Sequence, residues 1–277
     1  MNKALKIIFA GGGTGGHLFP AIAIAEEVKQ LEPNAEILFV GTKGKIEANV
    51  VPKKGFQFHT IWIAGFQRKF SVSNFLFPLK VIVSLFQSYS IIKNFRPNIV
   101  VGTGGYVCGP IVYVASLLNI PTVIHEQNSF PGVTTRMLSN KATQVHLTFE
   151  VAKKFLKRTD NVFVSGNPTR TELDNVNREE ALKYFGFDVH SDKKTLLVFG
   201  GSLGAATINN AVLNLLEELV KSNIRIIWQT GKNNVAEISS DVSKYLRHET
   251  WISPFIERMD FAYACADVVL CRSGATT

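Results

Sequence analysis

Two glycine-rich turns stand out, because small residues between a strand and a helix let a ligand reach backbone N–H groups. Gly11, Gly13 and Gly16 satisfy G-x-G-x-x-G in LKIIFAGGGTGGH, a pattern that brings a pyrophosphate to a helix amino terminus. His17 closes that turn, and an imidazole suits proton transfer at neutral pH, so His17 is read as a general base or as a loop cap that orients a ligand. GGSLGA (Gly200 to Ala205) offers a second anion cradle, with the Ser202 hydroxyl and the positive end of a helix expected over 205 to 221. Arg170, in SGNPTR, could fork a phosphate. There is no GxxxxGK[ST], no D-x-D and no His/Cys metal spacing, so neither a P-loop nor a metal site is expected. The second strand ends FVGTK without an acid for a ribose. That disfavours NAD and leaves NADP only through Lys43. No cofactor is expected.

Two further loops follow apolar strands. GTGGYVCGP (Gly102 to Pro110) carries Gly104, Gly105 and Tyr106; it is either a backbone approach to a ligand or a plain connection. HEQNSFPG (His125 to Gly132) places Glu126 and Asn128 just beyond a strand, where ligands of open α/β sheets bind. A carboxylate and an amide there suit sugar hydroxyls, or else a salt bridge, a cap and a turn. From Trp62 to Ile92, aromatic and aliphatic residues (Phe66, Phe70, Phe75, Phe77, Leu79, Ile82, Phe86) interleave with Arg68, Lys69 and Lys80. That pattern fits docking on an anionic membrane surface, or equally an amphipathic helix facing a core. No nucleic-acid recognition motif accompanies it, and no nucleic-acid partner is expected.

These loops need a scaffold. The chain has 277 residues, 46% apolar and 19% charged, enough for two folded domains. Short β-branched runs at 5–10, 37–40, 58–63, 99–101, 122–124, 144–147 and 162–164 alternate with helical patterns, and the alternation restarts at 195–199, 225–229 and 268–270. This predicts an α/β protein of two Rossmann-like, doubly wound parallel-sheet domains facing across a cleft. The polar stretch near residues 168 to 192 marks the boundary, dividing domains 1–170 and 171–277. Residues 1–170 hold 19 Lys/Arg against 8 Asp/Glu, and residues 171–277 hold 11 against 14, so the first half suits an anionic partner. Three cysteines without a CxxC pair fit a reducing compartment. The stretch Pro97 to His125 lacks charge, but its glycines and prolines cut it into short elements rather than a membrane span. The last run, CRSGATT, opens a turn and stops, so the second domain is expected to be truncated.

Taken in order, GGGTGGH, GTGGYVCGP, HEQNSFPG, SGNPTR, GGSLGA and CRSGA resemble the bacterial peptidoglycan N-acetylglucosaminyltransferases of glycosyltransferase family 28, over essentially the whole chain. The resemblance implies a GT-B enzyme that moves GlcNAc from UDP-GlcNAc to the C4 hydroxyl of MurNAc in lipid I (undecaprenyl-pyrophosphoryl-MurNAc-pentapeptide). It inverts the anomeric centre and yields lipid II and UDP at the cytoplasmic face of the cell membrane. Carried over by motif, Thr14, Gly15 and Gly16 would lie against donor and acceptor pyrophosphate. His17 would be the first choice of base and Glu126 the second. Asn128 would bind the GlcNAc hydroxyls, Arg170 and Ser202 the donor phosphates, Ile256 the uracil, and Ala275, Thr276 and Thr277 would begin a further donor-binding segment. Gly104, Gly105 and Tyr106 match positions associated with the acceptor. The other readings are a lipid-directed GT-B glycolipid synthase, a membrane-associated sugar-nucleotide-binding fragment without turnover and, more distantly, a reductase.

Overall fold

A computed structural model describes residues 4–65, 76–168, 176–201, 204–231, 238 and 250–274. The chain divides at residues 170 and 171 into two compact units. In the first unit, strands β1 (Lys6–Gly11), β2 (Glu36–Gly41), β3 (Gln57–Thr60), β4 (Ile99–Gly104), β5 (Thr122–Glu126), β6 (Gln144–Leu147) and β7 (Val162–Val164) form one parallel sheet in the order β3-β2-β1-β4-β5-β6-β7. Parallel pairing demands a crossover between neighbours. The described crossovers include α1 (Gly15–Leu31), α2 (Ile46–Lys53), α3 (Phe77–Phe95), α4 (Gly105–Leu117) and the short α5 (Val133–Leu138).

The central strands β2, β1, β4 and β5 are buried on both faces, and alternation along β1 shows how. Ile8 and Ala10 point into a core shared with α4, whereas Ile7 and Phe9 point into one shared with α1. Leu18 and Ile22 of α1 are fully buried there, each contributing roughly 1.5–3 kcal/mol. Strand order reverses at β1, whose neighbours are β2 and β4. The helices after β1 and β4 leave that point in opposite senses, which opens a crevice at the carboxyl ends of the strands.

The second unit is a four-stranded parallel sheet. Its strands β8 (Thr195–Phe199), β9 (Arg225–Gln229), β10 (Thr250–Ser253) and β11 (Val268–Cys271) lie in the order β10-β9-β8-β11. Helices α6 (Arg178–Tyr184) and α8 (Met259–Cys265) cover one face with Leu197, Phe199 and Ile227. Helix α7 (Ala206–Lys221) covers the other with Val198, Ile226 and Trp228. Strand β10 is absent from the sequence expectation: TWIS is too short and too polar at its ends to announce itself. No helix of the described residues is long and apolar enough to cross a membrane.

Candidate active site

Because the first sheet is parallel, the turns after β1, β4 and β5 share one edge. Three motifs meet there. The turn after β1 feeds α1, whose amino-terminal neighbour Thr14 is exposed and makes no side-chain cap. Gly15 and Gly16 open the helix and His17 follows, half-buried. The turn after β4 is a direct passage from Gly104 into Gly105 and Tyr106 of α4. Gly104 adopts φ +104, and a Cβ there would lie 2.6 Å from His17 Nδ1. Only glycine lets the β4 backbone approach the imidazole so closely.

His17 is held from several sides. Its Nδ1 lies 3.1 Å from the carbonyl oxygen of Thr103 and 3.2 Å from Gln127 Oε1, and the Thr103 hydroxyl donates to the carbonyl of His17 at 2.7 Å. Behind it, Gln127 Nε2 is 3.0 Å from His125 Nδ1, and His125 Nε2 is 3.0 Å from the carbonyl oxygen of Gly166. Burial, the largest influence, pulls the His125 pKa below its ordinary value, so this ring is neutral at neutral pH. Tyr106 covers Gly13. Its phenol pKa is raised, first by burial and then by the charge of Glu47, so it stays a hydrogen-bond donor.

Glu126 ends β5 almost fully buried, and both oxygens of its carboxylate are engaged. One oxygen accepts from the backbone N–H and side-chain amide of Asn128, the other from Gly132 N–H at 2.9 Å. Glu126 thus folds the loop that presents the exposed Asn128.

Sequence reasoning passed over Glu47. This wholly buried carboxylate sits beneath the first glycine turn. It accepts from Thr42 N–H, from the Thr42 hydroxyl and, at 3.0 Å, from Gly13 N–H. One N–H of the expected anion cradle is therefore already spoken for. Gln127 carried no assigned role either, although it stands inside HEQN.

In the second unit the glycine turn after β8 packs against β9: a Cβ at Gly204, at φ +80, would lie 2.2 Å from the Thr230 carbonyl oxygen. Gln229 ties this turn to Ile256, donating to Gly201 O at 3.0 Å and accepting from Ile256 N–H at 2.8 Å. The Ile256 side chain is buried in the unit core, which leaves its backbone carbonyl as the polar group it can offer a base. Arg170, Ser202, Ala275, Thr276 and Thr277 lie outside the described residues. Among the described residues no cluster of His, Cys, Asp and Glu could hold a metal ion.

Comparison with known proteins resolves the family. The glycosyltransferase family 28 N-terminal domain matches residues 7–147 and the family's C-terminal domain matches residues 195–277. The chain belongs to glycosyltransferase family 28. Family 28 relatives include the UDP-N-acetylglucosamine--N-acetylmuramyl-(pentapeptide) pyrophosphoryl-undecaprenol N-acetylglucosamine transferases of Christiangramia forsetii, 46% identical across 99% of this chain and 74% of the relative, and of a Thermoanaerobacter species, 44% identical across 99% and 75%. Among solved structures, Acinetobacter baumannii MurG is similar at a TM-score of 0.64 and 26% identity, covering 98% of this chain and 72% of that one. UDP-GlcNAc 2-epimerase from Neisseria meningitidis shares the fold at TM-score 0.64 and 16% identity, covering 99% and 78%. The family 28 chain is therefore an α/β glycosyltransferase with the GT-B fold.

Proposed function

We propose that this protein transfers GlcNAc from UDP-GlcNAc to the C4 hydroxyl of MurNAc in lipid I, forming lipid II and UDP in peptidoglycan synthesis. The family 28 relatives named for that reaction support it, and the observation that carries the mechanism is the setting of His17. A backbone carbonyl can only accept, so Thr103 favours the proton on Nδ1, which leaves a lone pair on Nε2. Among the described residues Nε2 has no partner. As the C4 oxygen attacks the anomeric carbon, the C1–O bond to the diphosphate breaks, the configuration inverts and the hydroxyl proton passes to Nε2. The charge developing on departing UDP meets backbone N–H groups of the second glycine turn, together with Ser202 and Arg170.

Thr14, Gly15 and Gly16 face the pyrophosphates, Gly104, Gly105 and Tyr106 the acceptor, Asn128 the GlcNAc hydroxyls, and Ile256 the uracil through its carbonyl; Ala275, Thr276 and Thr277 continue the donor site. Glu126, with both oxygens engaged, serves the loop rather than the proton. His17→Ala lowers turnover by roughly 10²-fold or more when UDP release is followed. A loss under about threefold would remove His17 from the role of base.

The acceptor is lipid-borne, and one face of α3 suits a membrane. Leu79, Ile82, Phe86 and Tyr89 recur at helical spacing and are all exposed, Phe86 at 72%. Lys80 and Lys93 flank them, each ammonium over a ring, Trp62 and Tyr89 respectively. Apolar side chains edged by cations on a non-spanning helix fit peripheral attachment to an anionic leaflet, at the cytoplasmic face where UDP-GlcNAc is available.

A further inference from the structure

The hydrogen-bond chain behind His17 has only one consistent proton arrangement. Start at its far end: Gly166 offers a carbonyl oxygen, 3.0 Å from His125 Nε2, so Nε2 carries the His125 proton. In a neutral ring Nδ1 is then an acceptor. It lies 3.0 Å from Gln127 Nε2, which donates. The amide is thereby oriented, with Oε1 turned 3.2 Å from His17 Nδ1. That oxygen and Thr103 O, two acceptors on one ring nitrogen, require Nδ1–H on His17. His125 and Gln127 are both buried, at 3% and 2% exposure, so water competes little for these bonds. The alternative tautomer of His17 would set an unprotonated nitrogen against two oxygens.

We propose that Gln127 and His125 are positioning residues that lock His17 as the Nδ1–H tautomer, using the Gly166 carbonyl as the anchor, so that Nε2 is always the proton acceptor. The consequence for catalysis rests on the reading of His17 as base, but the tautomer itself does not. Gln127→Met keeps the length of the side chain and removes its bonds to both imidazoles and to the His125 carbonyl, leaving Thr103 alone to bias the ring. Gln127→Glu keeps an acceptor for Nδ1–H while losing the donor to His125.

The test is ¹⁵N-imidazole NMR of the full chain with labelled histidine, alongside steady-state UDP release. In the parent protein His17 is expected as Nδ1–H. In Gln127→Met the Nε2–H form appears and kcat falls about tenfold, with KM for UDP-GlcNAc unchanged. In Gln127→Glu the Nδ1–H form returns and kcat recovers to within about threefold of the parent. An Nε2–H His17 in the parent protein overturns the proposal, whether or not the variants fold. So does an unchanged His17 tautomer in Gln127→Met. Turnover indifferent to His17→Ala strikes the assignment of the base, while the NMR result still upholds the network.

Discussion

Glu47 shows what a glycine turn costs to hold open. A carboxylate with no exposed surface is tolerated because three donors converge on it, two of them backbone N–H groups. Glu47→Ala strands those donors and is expected to destabilise the first unit by about 3 kcal/mol, with Glu47→Gln costing roughly half, since one acceptor survives. The shift in urea midpoint measures both; a loss below about 0.5 kcal/mol for the alanine variant would show that water replaces the carboxylate. Removing the charge should also lower the Tyr106 pKa, though not to its ordinary value, because burial is the larger cause of its elevation. Nothing in GKIEANV announces this role: the segment reads as an ordinary amphipathic helix, and the burial of one acid leaves no periodic trace. His17 and Glu126 were legible because motif position places them at strand ends. The acceptors around them were not, since Thr103 contributes through its backbone and Gln127 is oriented by His125, whose own partner is a carbonyl 41 positions further along, at Gly166.

Strands β8 and β11 begin side by side, and Asp267 fastens them. Its carboxylate accepts from Thr195 N–H at 2.8 Å and from the Arg178 guanidinium at 2.9 Å, with Lys194 at 3.4 Å. Burial alone would raise its pKa, but the Thr195 and Arg178 donors outweigh that and hold it below the ordinary carboxylate value. Between the folded and unfolded pKa values the unfolded chain binds the extra proton. The contribution is therefore complete above the unfolded value, near pH 4, and disappears as pH falls through the folded one. Asp267→Asn is expected to lower the urea midpoint reported by the buried Trp228 at pH 7 and to flatten its decline below about pH 4. Equal pH slopes in parent and variant would show that Asp267 has no such part. The strands at Thr195–Phe199 and Arg225–Gln229 were readable because both are unbroken β-rich runs buried on two faces. TWIS was not, having four residues and an Arg-His-Glu approach that looks like loop. The same limit blurred β3, where FHTIWI suggests a strand reaching residue 63 although pairing stops at Thr60.

Charge is distributed so that 19 basic residues against 8 acidic ones fall in residues 1–170, an excess of 11, while residues 171–277 carry 11 against 14. An anionic surface will therefore attract the first unit over a distance of about one Debye length, ~8 Å at physiological ionic strength. Attraction without insertion would be lost in salt, and insertion without attraction would not distinguish lipids. In the proposed membrane attachment the α3 face would combine both, with Phe86 and Ile82 entering the headgroup boundary while Lys80 and Lys93 stay with the phosphates. Burying one large apolar side chain contributes roughly 1.5–3 kcal/mol. Phe86→Asp is accordingly expected to weaken co-sedimentation with vesicles containing anionic phospholipid by at least about tenfold at low salt. Binding of the parent protein should fall in high salt and on neutral vesicles. The folded stability of Phe86→Asp should change little, since Phe86 is already largely in water. Turnover on a truncated, water-soluble acceptor should also survive Phe86→Asp, while turnover on the lipid-embedded acceptor declines. Vesicle binding indifferent to both Phe86→Asp and lipid charge would assign this stripe to some other surface and leave the acceptor to be delivered without it.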